Sequence, residues 1–171
     1  MVDKQNTEML NQVTLEKIDE MNFSDFKEWV IKDYAEEKTK AGNWTEDEAL
    51  VKATAEFEKL LPQGEKTPNQ FLYYICNKEN QRVGHVWHDL IVNEDGWIHS
   101  LLVYENYRRQ GFAYKAINII ESDILNNGCS SIGLHVFRHN KSALNLYKKL
   151  GFIETERSDD KNVIMMKPLK K

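Results

Sequence analysis

Residues 107–116 read Tyr107-Arg108-Arg109-Gln110-Gly111-Phe112-Ala113-Tyr114-Lys115-Ala116. They stand between two apolar segments of different period. Upstream, 97–103 (WIHSLLV) is rich in strand formers; downstream, 112–125 (FAYKAINIIESDIL) repeats its apolar residues at helical spacing. The decapeptide is therefore a strand-to-helix turn. The first amides of a helix have no partner within it, and the helix dipole adds partial positive charge at that end. Gly111 lets backbone approach a bulky oxyanion, Ala113 keeps the helix entrance narrow, and Arg108 and Arg109 add charge. That chemistry suits a pyrophosphate. An ordinary glycine turn beside a solvated arginine pair is the alternative. The chain lacks both GxxxxGK[ST] and GxGxxG, so neither a triphosphate P-loop nor a dinucleotide fingerprint accounts for the turn.

Working outward, 71–77, 82–92 and 97–103 read as three strands joined by short turns, an antiparallel meander. The helix from 112 stops at Asn127-Gly128, and 131–137 reads as a buried strand. A helix over 141–150 ends at Gly151, and 152–157 with 162–167 form a hairpin. Toward the N-terminus, residues up to about Glu8 read as a frayed start, and Val13 and Leu15 alternate as in a short strand. Ser24 is expected to cap a helix that places Phe26, Trp29, Val30 and Tyr34 on one face. After the break at Ala41-Gly42-Asn43, Thr45 to Glu48 read as a capping box. Leu50, Ala53, Phe57, Leu60 and Leu61 follow at helical spacing, to the stop at Pro62-Gln63-Gly64. The expectation is one α+β domain over 1–171 with no internal linker or repeat.

The bulk properties narrow the function. A chain of 171 residues, 41% hydrophobic and 29% charged, has the balance of a soluble domain with a real core. No apolar run is long enough to span a bilayer, and MVDKQNTEML has no signal-peptide core. Cys76 and Cys129 give neither a disulfide framework nor a zinc spacing, which points to a reducing cytoplasm. A net charge of −4 speaks against nucleic acid as a partner and is compatible with a cationic substrate. His85 and His88 alternate across their strand, and no histidine group has metal-ligand spacing.

Two motifs carry a resemblance. Arg108-x-x-Gly111-x-Ala113, preceded by Leu101-Leu102-Val103, resembles motif A of the GNAT N-acetyltransferases, in which Gln or Arg, two residues, Gly, one residue and Gly or Ala follow a strand. Asn140-Lys141-Ser142-Ala143-Leu144-Asn145-Leu146-Tyr147-Lys148-Lys149-Leu150-Gly151-Phe152 resembles motif B, N-x-x-A-x-x-L-Y-x-x-x-G-F. The resemblance covers 97–152, the coenzyme-binding core. Residues 1–65 match loosely and correspond to the part of the family that varies with substrate. It implies a mixed, mostly antiparallel central sheet, splayed at two central parallel strands and flanked by helices. It also implies direct transfer of an acetyl group from acetyl-CoA to a primary amine, with coenzyme A as product. The acceptor is a small-molecule amine or a protein amino group, and a homodimer is compatible. The alternative is a GNAT-fold module that binds acyl-CoA without turnover.

Carried residue by residue, the resemblance gives the pantetheine arm the backbone of Leu101, Leu102 and Val103, pairing as an added strand would. A strand amide near Leu102 would stabilise the oxyanion. Arg108, Arg109, Gln110, Gly111, Phe112, Ala113 and Tyr114 would surround the pyrophosphate. Asn140 would bond the pantetheine arm while also capping its own helix. Tyr147 would protonate the leaving thiolate; its other reading is a packed helix tyrosine. The amine must lose a proton, and His99 is the candidate base, on one strand face with Trp97 and Leu101. A strand histidine held by a neighbour is the competing reading. His135, Glu94 or a backbone-held water stand next. Trp29, Tyr34, Trp97 and His135, with Trp44 and Phe57 nearby, would wall the acceptor site, where aromatic rings can receive a cation; for the helix aromatics Trp29, Tyr34, Trp44 and Phe57, a place in the core is the equal alternative.

Overall fold

The computed structural model describes residues 12–90 and 95–169. The elements run β1 (Thr14–Lys17), α1 (Glu20–Lys40), α2 (Glu46–Leu60), β2 (Gln70–Cys76), β3 (Arg82–Asp89), β4 (Gly96–Val103), α3 (Phe112–Asn126), β5 (Ser131–Phe137), α4 (Lys141–Lys149), β6 (Ile153–Glu154) and β7 (Asn162–Pro168). The strands form a mixed sheet in the order β1-β2-β3-β4-β5-β7-β6, mostly antiparallel with one parallel pair. β4 reaches its sheet neighbour β5 through α3, the crossover that parallel neighbours require. By contacts the chain gathers into two compact units: residues to Lys17, 71–132 and from Leu169 onward, and residues 18–70 with 133–168.

In the first unit, β1 pairs antiparallel with β2 from Thr14↔Cys76 to Lys17↔Tyr73. The meander is present, but β3 ends at Asp89, short of the expected 92; Leu90 continues buried outside the strand, and 91–94 lie outside the described residues. The frayed start expected up to Glu8 also lies outside them. α3 buries Phe112, Ala116, Ile117, Ile120 and Ile124, the stripe its 3.6-residue period predicts. Each large aliphatic side chain removed from water contributes about 1.5–3 kcal/mol. Gly96 makes room for this packing, because a Cβ there would sit 2.7 Å from Ile124 Cδ1.

The β3–β4 register contains a bulge. Asp89 pairs with Trp97 and His88 with Ile98, but Trp87 pairs with Ser100, so His99 is the extra residue. A bulge changes which side chains share a face. Trp97, Ser100 and Leu102 lie with His85, Trp87 and Asp89; Ile98, Leu101 and Val103 lie with Gly84, Val86 and His88. His99 contacts Trp87 and Asp89, so it stays with Trp97. Leu101 does not: the expected common face of Trp97, His99 and Leu101 is broken by the bulge, which strict alternation cannot reveal.

In the second unit, Asp19 rather than Ser24 caps α1, its Oδ1 accepting from the Asn22 amide at 3.1 Å. Ser24 lies a turn inside the helix and is exposed. Phe26, Val30, Ile31 and Ala35 are buried, whereas Trp29 and Tyr34 are half-buried. The capping box of α2 is present, with the Thr45 amide donating to Glu48 Oε1 at 3.1 Å. Its buried stripe is Ala49, Ala53 and Phe57, continued by Leu61. Leu50 and Leu60 sit one residue off that stripe, turned about 100° away, and are exposed. Phe57 packs with Phe23 and Phe26 at centroid distances of 6.2 and 6.4 Å. α4 buries Leu144 and Tyr147, and β6 pairs with β7 through Ile153↔Met166.

Candidate active site

After β4 a short 3-10 turn, Glu105–Tyr107, leads into the glycine segment. Arg109 (φ 63°) and Gly111 (φ 84°) both take left-handed backbone. Glycine does so freely, while a residue with a Cβ does so at a cost of roughly 1–2 kcal/mol. The result is a sharp entry into α3. Lys115 is the first residue to donate back, to the Gly111 carbonyl at 3.1 Å. The amides of Gly111, Phe112, Ala113 and Tyr114 find no acceptor among the described residues. A Cβ built at Gly111 would meet nothing within 4 Å, so no neighbouring side chain crowds the glycine itself. Arg108 is partly spent as a brace, its Nε donating to the Val103 carbonyl at 3.1 Å. Gln110 Nε2 likewise donates to Asn106 O at 3.3 Å. Phe112 buries its ring near Tyr107 and offers only its amide; Arg109 and Tyr114 are exposed.

The strand before the turn has one edge committed to β3. Tyr104 N–H donates to Val83 O at 2.8 Å, and a Cβ at Gly84 would collide with the Leu102 carbonyl oxygen. Backbone groups alternate along a strand, so Leu102 points its amide and carbonyl at β3. The amides of Leu101 and Val103 point the other way.

On the His85 face of these strands lies a compact polar group. His99 Nε2 is 2.8 Å from Asp89 Oδ2, and Asp89 Oδ1 accepts from the Trp97 amide at 2.9 Å. The Trp87 ring stacks on the imidazole at 4.6 Å. His85 Nε2 lies 3.0 Å from Ser100 Oγ, and burial pulls its pKa down to about 3. On the opposite face, His88 is fully buried beside Phe71 and Tyr73, with no hydrogen-bond partner among the described residues for either ring nitrogen.

In the second unit Asn140 caps α4, accepting from Ala143 N at 3.1 Å, as its local reading requires. Tyr147 packs edge-on against Phe152 at 5.7 Å, and burial pushes its pKa up to about 12. Its hydroxyl makes no hydrogen bond among the described residues, so the phenol is protonated and uncommitted. Tyr34 and Trp44 meet edge to face at 5.5 Å, with Phe137 at 6.5 Å from Tyr34. Tyr34 Oη donates to Glu56 at 2.8 Å. The cations in this aromatic group are the chain's own: Lys38 Nζ lies 5.2 Å from the Tyr34 ring and 5.0 Å from Trp44, and Lys52 Nζ lies 6.0 Å from Trp44. Phe57 belongs instead to the phenylalanine core described above. His135 donates from Nε2 to Asn162 Oδ1 at 3.0 Å, an orientation fixed because Asn162 Nδ2 donates to Asp159. Burial holds His135 below the usual histidine range. Glu94 lies outside the described residues.

The model of the Acetyltransferase (GNAT) family matches residues 23–152. The chain belongs to the GNAT acetyltransferase family. Among its relatives, the uncharacterized N-acetyltransferase YdgE of Bacillus subtilis is 31% identical over 83% of this chain and 92% of its own length. The uncharacterized N-acetyltransferase YycN of the same organism is 33% identical over 86% of this chain and 92% of its own. The crystal structure of YycN superposes with a TM-score of 0.81, covering 87% of this chain and 97% of that one. The PaiA N-acetyltransferase of Thermoplasma acidophilum, 18% identical, shares the GNAT fold at a TM-score of 0.69 over 92% of this chain and 99% of that one. No helix among the described residues is long and apolar enough to cross a membrane.

Asp89 was not singled out by sequence. Its only signal is one acidic residue inside the apolar run VWHDLIV. Lys38 and Glu56 had no signal beyond ordinary helix-surface charge.

Proposed function

We propose that this GNAT protein transfers the acetyl group of acetyl-CoA to a primary amine by direct attack, using the chain over 1–171 as one catalytic domain. The observation that carries this reading is the turn at Gly111. It presents a run of uncommitted amides at the positive end of a fifteen-residue helix, entered through a glycine that no side chain crowds. PaiA was solved with coenzyme A bound, which supports the same ligand here. The family match runs through residues of both units, which supports a single domain.

In this reading the pantetheine arm pairs with the β4 edge that faces away from β3, where the amides of Leu101 and Val103 are directed. One of them also receives the charge that grows on the thioester oxygen. The neutral amine attacks the carbonyl carbon and gives a proton to His99. The carbon–sulfur bond then breaks, and the Tyr147 hydroxyl supplies the proton that makes coenzyme A a thiol. Burial of Tyr147 favours this role, because a phenol with a pKa of about 12 keeps its proton at neutral pH. Asn140 bonds the arm with the donors its capping role leaves over. Trp29, Tyr34, Trp97 and His135 wall the acceptor site.

The test is incubation with acetyl-CoA and a panel of amines covering polyamines, amino sugars, amino acids and peptide termini. Mass spectrometry reads acetylated product, and thiol release reads coenzyme A. The reading predicts both, in equal amounts. Coenzyme binding without product for any amine would instead favour the non-catalytic module.

A further inference from the structure

His99 is held more firmly than a free strand histidine would be. Its Nε2 lies 2.8 Å from Asp89 Oδ2, and the other carboxylate oxygen takes the Trp97 amide at 2.9 Å. Oδ1 is an acceptor by that bond, and an ionised carboxylate has only acceptors to offer at Oδ2 as well. An acceptor at Oδ2 requires the hydrogen to sit on Nε2. Trp87, stacked at 4.6 Å with an interplanar angle of 28°, fixes the plane of the ring. The bulge at His99 makes this geometry, because it brings the extra residue over the face that carries Trp87 and Asp89. The second ring nitrogen, Nδ1, makes no hydrogen bond among the described residues.

We propose that Asp89 is a positioning residue of the acetyl transfer: it holds His99 as the Nε2–H tautomer and leaves Nδ1 as the atom that takes the proton from the amine. The inference rests on the acetyltransferase reading above, with His99 as base. As the amine nitrogen uses its lone pair to form the bond to the carbonyl carbon, its N–H proton passes to Nδ1, directly or through one water. The imidazolium so formed keeps Nε2–H on the Asp89 carboxylate, whose negative charge stabilises it. The electrons of the breaking carbon–sulfur bond stay on sulfur, which is protonated in turn. His99 then returns its proton to solvent and Tyr147 takes one back, so that no proton is gained or lost overall. An asparagine at position 89 retains an acceptor for the Trp97 amide, but its amide group can also donate to the imidazole, so the tautomer is no longer imposed.

Two measurements test this. The first needs no substrate: nitrogen-15 NMR of the labelled full-length protein, with His99 assigned by His99→Gln. In the neutral imidazole the expected spectrum has a protonated Nε2 and an unprotonated Nδ1. In Asp89→Asn the Nδ1–H form gains population. An Nδ1–H tautomer in the native protein would overturn the proposal, as would an unchanged spectrum in Asp89→Asn. The second is kinetic, using the best amine of the panel. Asp89→Asn should lower kcat by ~10²-fold or more with little change in KM for acetyl-CoA, as expected when a base loses its orienting carboxylate. Asp89→Glu should recover part of the loss. Equal kcat in native protein and Asp89→Asn would overturn the proposal, and so would a change confined to KM. If His99→Gln retains native turnover, the assignment of His99 as base is what fails, and the proposal fails with it. If no amine is acetylated, the acetyltransferase reading fails, while the NMR spectrum still decides whether Asp89 sets the tautomer.

Discussion

Tyr147 shows how one side chain can satisfy packing and chemistry together. Its ring is core, edge-on to Phe152, while its hydroxyl is bonded to nothing among the described residues. Tyr147→Phe should therefore leave the unfolding temperature nearly unchanged. Turnover should fall by ~10²-fold if the hydroxyl acts as general acid. Single-turnover kinetics, where chemistry limits the rate, check this; an unchanged rate assigns Tyr147 to packing alone. Tyr147 was legible because a motif surrounds it. So was Gly111, because it stands where a strand pattern gives way to a helical one inside the first motif. Asp89 was not legible, because its role depends on the cross-strand register that sets it opposite Trp97. Asp19 lost out to Ser24 as the expected cap because the apolar stripe is easiest to see from Phe26 onward, although α1 already begins at Glu20.

Among the elements, periodicity located most strands and helices. β5 carries its expected bounds of 131–137, and α3 and α4 differ from expectation by one residue at their ends. What periodicity cannot show is an inserted residue. The bulge at His99 sends Leu101 to the other face, because alternation fails wherever two residues oppose one. Two close approaches to β4, by β3 at Gly84 and by α3 at Gly96, each leave a measurable signature in a glycine. A Cβ at Gly84 meets the backbone oxygen of Leu102, which yields only if β4 moves; a Cβ at Gly96 meets the Ile124 side chain, which can repack. Gly84→Ala should thus cost more stability than Gly96→Ala, by about 1 kcal/mol or more on the scale of overpacking penalties. It should also weaken acetyl-CoA binding, since it displaces the strand edge at Leu101–Val103. Denaturant unfolding of the two variants checks the order, and equal midpoints would show that β4 accommodates the methyl group freely.

For the molecule as a whole, the two motifs set the family, and neither motif carries a side chain that names the acceptor. Buried histidines make its stability depend on pH. His85 and His88 are held neutral by burial, with pKa values of about 3 and about 4. The unfolded chain takes up those protons near the ordinary ~6.5. Both folded values are depressed, so their stabilising effect is present above pH ~6.5 and is lost as pH falls toward 4. The slope is up to about 1.4 kcal/mol per pH unit for each histidine. Melting temperatures between neutral pH and pH ~4.5 should fall, and less steeply in His88→Leu; equal slopes would mean that His88 is not buried neutral. The catalytic reading itself stands on the turn at Gly111, and calorimetric titration with acetyl-CoA and with acetyl-pantetheine, which lacks the pyrophosphate, tests that turn. The native protein should bind acetyl-CoA tighter by about tenfold or more, 1.4 kcal/mol. Gly111→Val, shown folded by circular dichroism, should lose that advantage while its affinity for acetyl-pantetheine stays the same. Equal affinity of the native protein for the two ligands, or a Gly111→Val variant that still prefers acetyl-CoA as strongly, would contradict a pyrophosphate site at this turn.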